Sequence, residues 1–134
     1  MAKLSEIEGI GPASTEKLAG CGIKNQAQLL EACGRPAGRK KIAAESGISP
    51  KLILNWTNRA DLARVKGIGE EYADLLEASG VDSVPELAQR KPENLHAKMT
   101  EANEAKKLVR SLPALGHVEK WVAAAKEMPR AVHH

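Results

Sequence analysis

Three features of this 134-residue chain predict an all-α fold. The hydrophobic 43% is carried mainly by Ala and aliphatic side chains, with two Trp, one Tyr and no Phe. A sandwich or barrel would want more β-branched and aromatic residues, whereas Ala and Leu favour short packed helices. The 11 Gly and 7 Pro fall where helices would start and stop. The third feature is a repeat: Ile7-Glu8-Gly9-Ile10-Gly11 recurs as Val65-Lys66-Gly67-Ile68-Gly69, an offset of 58. At that offset Leu18 meets Leu76, Gly22-Ile23 meets Gly80-Val81, and Leu29 meets Leu87. Trp56 and Trp121 lie 65 apart, so the second copy carries a short insertion. Two pseudo-repeated units follow, 1–64 and 65–130, packed as one helical body. Residues 131–134 form a tail whose His133-His134 are either native or the stub of a purification tag.

Each element has a local reason. Leu4 and Ile7 predict a stub of helix ending at Gly9. Pro12 suits the first turn of the next helix, where its missing N–H costs nothing, and that helix runs through Leu18 to Gly20 and Gly22. A third helix spans Gln26 to Cys33 and stops at Gly34. Pro36 opens a basic helix closed by Gly47. Ser49-Pro50 starts a longer helix whose Leu52, Ile53, Trp56, Ala60 and Ala63 make one apolar stripe. In the second half, Ser83-Val84-Pro85-Glu86 predicts a capping box and Pro92 opens another helix. Pro113 and Gly116 precede a last helix carrying Val118, Trp121, Val122 and Ala125. Both tryptophans are expected in the core, one per half.

Several functional classes are excluded. No apolar run approaches the ~18 residues of a membrane span, and Met1 to Gly9 lacks a signal-peptide hydrophobic region, so a cytoplasmic protein is expected. Cys21 and Cys33 fit neither CxxC nor zinc spacing and read as reduced thiols. His96 and His117 have no Cys, Asp or Glu at ligand spacing and read as surface or capping residues. No P-loop, GxSxG or HExxH is present. No catalytic residue, metal, cofactor, membrane or small-molecule substrate is expected.

A helix, a Gly-aliphatic-Gly turn and a second helix have a mechanical meaning. The first glycine takes positive φ, the second lets the backbone approach a neighbour, and Ile10 or Ile68 turns inward to pin the turn. The N–H groups opening the second helix then present positive potential suited to a phosphate. These residues resemble the helix-hairpin-helix family: Ile7, Gly9-Ile10-Gly11, Thr15 and Leu18 match its spacing, and Val65, Gly67-Ile68-Gly69, Ala73 and Leu76 match it better. Over nearly its whole length the chain resembles a bacterial family of tandem hairpins, the domain of unknown function 4332. The resemblance implies non-catalytic binding of duplex DNA through backbone phosphates, without sequence preference. Some such hairpins instead only pack or bind protein.

The residues separate the two hairpins. The first opens with Pro12-Ala13-Ser14-Thr15 and has Lys17 and Lys24 close by, so a phosphate meets little competition. The second opens with Glu70-Glu71, with Asp74 one turn on, and those carboxylates occupy the helix dipole and repel phosphate. Residues 1–64 carry +4 and residues 65–134 carry −1. The basic cluster Arg35, Arg39, Lys40 and Lys41 reads as a solvated face or as supplementary phosphate contacts. The expected nucleic-acid site is therefore Gly9, Ile10, Gly11, Ala13, Ser14, Lys17, Lys24, Arg39, Lys40 and Lys41, with Gly67, Ile68 and Gly69 as a weaker second. A protein-interaction adaptor is the alternative. Residues Ile42 to Trp56 also fit a helix-turn-helix reader, which would present Lys51, Asn55 and Asn58.

Overall fold

The computed structural model describes residues 3–7 and 9–133, without the side chains of Glu6 and Glu70. Among these residues lie eight α-helices, one 3-10 turn and an isolated bridge between Lys3 and Asn25. The protein is all-α. The 3-10 turn is Leu4–Glu6, followed by α1 (Pro12–Gly20), α2 (Gln26–Cys33), α3 (Pro36–Ser46) and α4 (Pro50–Leu62). Then come α5 (Glu70–Ala78), α6 (Val84–Ala88), α7 (Pro92–Lys106) and α8 (Leu115–Glu127). Contacts divide the chain into Met1–Asp61 with Arg130–His134, and Leu62–Pro129.

The first unit packs α1 and α2 against α3, around Leu4, Ile7, Ile10, Leu18, Leu29, Ile53 and Trp56. Leu4–Glu6 forms a single 3-10 turn where a helical stub is predicted, and Ile7 is already extended at φ −87°, ψ 124°. Of the α4 stripe, Ile53, Trp56 and Ala60 are buried, whereas Leu52 is 46% exposed and Ala63 is exposed. In the second unit α8 packs on α6 and α7, and α5 on α7, around Leu76, Leu87, Leu95, Met99, Val118 and Trp121.

Four of the eight described helices, α1, α2, α3 and α5, end at or beside a glycine. Gly22 takes φ +84° and closes α1 as a Schellman cap: Ile23 N–H donates to Leu18 O (2.9 Å) and Gly22 N–H to Ala19 O (3.0 Å). The same bonds close α5, from Val81 to Leu76 (2.8 Å) and Gly80 to Glu77 (3.0 Å). At two helix ends side chains take part. Asn25 Oδ1 accepts from Gln28 N–H (2.9 Å) while Gln28 Oε1 accepts from Lys24 N–H (2.7 Å), fixing the start of α2. Helix α7 ends without glycine, at Lys107 (φ +50°), and Asn103 Oδ1 accepts from Val109 N–H (2.9 Å) just beyond. Ser83 stands at the N-cap of α6, but its side chain makes no capping bond, so the predicted box is not formed. Gly116 lies inside α8 and does not precede it.

Two turns share one geometry. Gly9 has φ +91° and Gly67 φ +94°. Ile10 N–H donates to Ile7 O (3.2 Å) and Ile68 N–H to Val65 O (3.1 Å). An ideal Cβ on Gly9 would stand 3.3 Å from Trp56 Nε1, and one on Gly67 would stand 3.0 Å from Trp121 Nε1. Each turn is thus closed by an indole edge lying where a side chain would project. Gly11, by contrast, has φ −89° and open space around it. Gly9→Ala and Gly67→Ala should each lower unfolding free energy by about 1–2 kcal/mol for the left-handed backbone alone. Gly11→Ala should stay within about 0.5 kcal/mol. Guanidinium titration followed by circular dichroism checks the ordering.

Candidate nucleic-acid interface

The first turn delivers the chain into α1 with Gly11 as N-cap and Pro12 at the first helical position. Thr15 N–H is satisfied by Gly11 O (3.0 Å), and Thr15 Oγ1 donates to the same carbonyl (3.0 Å). Pro12 has no N–H, so the open donors of this helix start are the amides of Ala13 and Ser14. No side chain caps them, and the first turn holds no acid. Gly9, Gly11 and Ala13 are exposed and Ser14 half-buried, whereas Ile10 is buried beneath them. Ile10 therefore fixes the turn without being available as a contact.

The second turn reaches α5 in the same way, with Gly69 as N-cap and Ala73 N–H donating to Gly69 O (2.9 Å). Gly67 and Gly69 are exposed and Ile68 is buried. Its helix starts with Glu70 and Glu71. Glu71 is exposed; the side chain of Glu70 lies outside the described residues.

The basic residues sort into two kinds. Lys17, Lys24, Lys40 and Lys41 are exposed, the last two on α3, which packs on α1. Arg39 is different, and it corrects the expectation of a phosphate contact. It is 7% exposed and spends its guanidinium inside the first unit. Nη1 donates to Cys33 O (3.0 Å) and Gly34 O (3.1 Å), and Nη2 donates to His133 O (2.7 Å). Helix α2 leaves its last carbonyls unpaired, and a five-donor fork is suited to gathering several at once. His133 N–H adds a bond to Gly34 O (2.6 Å), and Val132 is fully buried. Residues up to His133 are thus packed into the first unit, whatever their origin. His134 lies outside the described residues.

The remaining candidates are also placed. Of the helix-turn-helix readers, Lys51 and Asn55 are exposed, but Asn58 is 5% exposed and cannot read a groove. Cys21 and Cys33 are free thiols, and burial pushes the Cys33 thiol up to about 11, opposed by the nearby Arg39 charge. It stays protonated at neutral pH and is no nucleophile. His96 is half-buried and its Nε2–H donates to Pro113 O (3.0 Å) in the loop between α7 and α8, so it caps no helix, and His117 is exposed. No group of His, Cys, Asp and Glu that could hold a metal ion occurs among the described residues.

The class these features define is a small α-helical protein carrying glycine-turn helix starts, one of them free of acid. The chain belongs to the family described as domain of unknown function (DUF4332), whose profile matches residues 8–128. Neither the curated proteins nor the solved structures include a match. No helix among the described residues is long and apolar enough to cross a membrane.

Arg39→Ala leaves the Cys33, Gly34 and His133 carbonyls without their charged donor and should cost about 2–3 kcal/mol. Arg39→Lys should recover only part, because an ammonium cannot reproduce the planar fork. Thermal and guanidinium unfolding of both variants measure this.

Proposed function

We propose that the protein is a tandem helix-hairpin-helix module that binds duplex DNA through backbone phosphates, without sequence preference, at its first hairpin. The observation that carries this reading is the start of α1. A positive-φ glycine turn, pinned by buried Ile10, leads to an uncapped, acid-free helix N-terminus with the Ala13 and Ser14 amides open. Oriented amides and the helix dipole favour an anion there by about 0.3–1 kcal/mol at an exposed site. That is too little to hold DNA alone, so Lys17, Lys24, Lys40 and Lys41 would supply most of the affinity through counterion release. Arg39 has no part in it.

A second reading, a protein-interaction adaptor, is favoured by the second hairpin, where Glu70 and Glu71 open the helix. On either reading no chemistry is catalysed, and the protein acts in the cytoplasm.

Fluorescence anisotropy of labelled duplex across a salt series tests the proposal. The logarithm of affinity should fall linearly with that of salt, with a slope of about −0.9 per phosphate neutralised. Lys40→Glu with Lys41→Glu should weaken binding about tenfold or more at low salt. Ser14→Glu should weaken it too while leaving the fold at least as stable, since a carboxylate in the first turn suits the dipole. Glu70→Ala with Glu71→Ala should not weaken it. Absence of binding at low salt would leave the adaptor.

A further inference from the structure

The second unit holds an open pocket of about 510 Å³ lined by Lys66, Gly67, Tyr72, His117, Lys120, Trp121 and Ala124. It adjoins the second glycine turn, and its chemistry differs from that of the helix start beside it. His117, Lys120, Trp121 and Ala124 follow helical spacing i, i+3, i+4, i+7, so one face of α8 supplies a cation, an imidazole and an apolar wall together. The turn adds Lys66, and Tyr72 comes from the first turn of α5.

The aromatic wall is fixed. The Tyr72 and Trp121 rings stand 5.4 Å apart at 51°, and Tyr72 Oη donates to Ser111 O (3.3 Å). Trp121 is 4% exposed and set with its Nε1 edge against Gly67, while Lys66, His117 and Lys120 are exposed. No acid lines the cavity. Its volume lies within the roughly 300–1,000 Å³ of small-ligand sites.

The fold does not require this set. At the offsets of 58 and 65 that align the two halves, Lys66, Tyr72, His117 and Lys120 correspond to Glu8, Ser14, Leu52 and Asn55. Trp56 and Gly9 keep the same closure as Trp121 and Gly67, yet an acid, a hydroxyl, an apolar chain and an amide stand where the second unit has two ammoniums, an imidazole and a phenol. The architecture persists without the cationic and aromatic residues, so packing alone does not account for them.

We propose that this pocket binds a small organic anion with a flat apolar body. Its carboxylate or phosphate is held by Lys66 and Lys120 with His117, and its body rests against Tyr72, Ala124 and the Trp121 edge. Charge-assisted bonds hold the head group, and removal of the ring from water favours the body. Duplex DNA fits poorly, because its backbone offers anions but no flat apolar body.

The test is two-dimensional 15N NMR of the full chain titrated with 2-naphthoate, 2-naphthyl phosphate, neutral 2-naphthalenemethanol and inorganic phosphate. The two indole N–H signals, one per unit, give an internal control. At least one aromatic anion should move the Trp121 indole and the Gly67 and Lys120 amides saturably while leaving the Trp56 indole in place. Whichever of the two binds tighter identifies the head group. Lys66→Ala and Lys120→Ala, both at exposed positions, should each weaken binding about fivefold. The neutral alcohol and inorganic phosphate should each bind about tenfold more weakly or worse. The proposal is overturned if neither anion saturates by about 10 mM, if the alcohol or inorganic phosphate binds as tightly, or if both indoles move alike. Displacement of the bound anion by unlabelled duplex would also overturn it, by making the pocket part of a DNA surface.

Discussion

Each unit of this protein depends on one close contact, an indole edge set against a glycine whose backbone is left-handed. At Gly9 and Gly67 the positive φ turns the chain sharply, and the absent side chain leaves the space that Trp56 and Trp121 fill. A left-handed glycine alone is permissive, and the large buried indole restricts it by occupying the space beside it. Together they fix the exit direction of the turn. Ile10 and Ile68 then point into their cores, and the helices that follow start with exposed amides.

What the turn delivers differs between the units. In the first, nothing acidic follows the glycine turn, and lysines on α1 and α3 remain exposed. In the second, carboxylates begin α5, and Lys66 and Lys120 line a pocket shared with Gly67, Tyr72 and Trp121. Arg39 marks the division of labour within the first unit. By charge it belongs with Lys40 and Lys41, but by position it gathers carbonyls from the end of α2 and from His133. Exposure, and not charge, separates a basic residue that meets solvent from one that closes a helix.

Most of the fold was legible in the sequence because its punctuation is made of proline, which fixes φ, and glycine, which enters the left-handed region at no steric cost. Pro12, Pro36, Pro50 and Pro92 each open a helix, and Gly22, Gly47 and Gly80 each close one. Where side chains do that work, the sequence is less informative. The Asn25–Gln28 cap and the Asn103 cap use residues common in loops and on helix surfaces. Lys107 carries no signal for a left-handed conformation. The first unit's opening turn stays 3-10 where an amphipathic helix is suggested, because Leu4 and Ile7 enter the core within so few residues. In the candidate interface, Gly9 to Ser14 could be read from spacing, but the fate of Arg39 could not. Its partners lie at the end of α2 and some ninety residues away, beyond any local pattern. The pocket of the second unit was hidden for the same reason: Lys66, Tyr72 and His117 come from three separate segments.

We propose that an acid-free helix start, held by the Gly9 turn, is where the protein meets a phosphate backbone. Amide chemical-shift mapping of the 15N-labelled protein with an unlabelled duplex tests this residue by residue. The largest shifts should fall on Gly11, Ala13 and Ser14, with smaller ones at Lys17 and along α3 near Lys40 and Lys41. Gly69 and Glu71 of the second unit should be almost unmoved. Shifts concentrated on the start of α5, or spread evenly with none at Ala13 and Ser14, would overturn this.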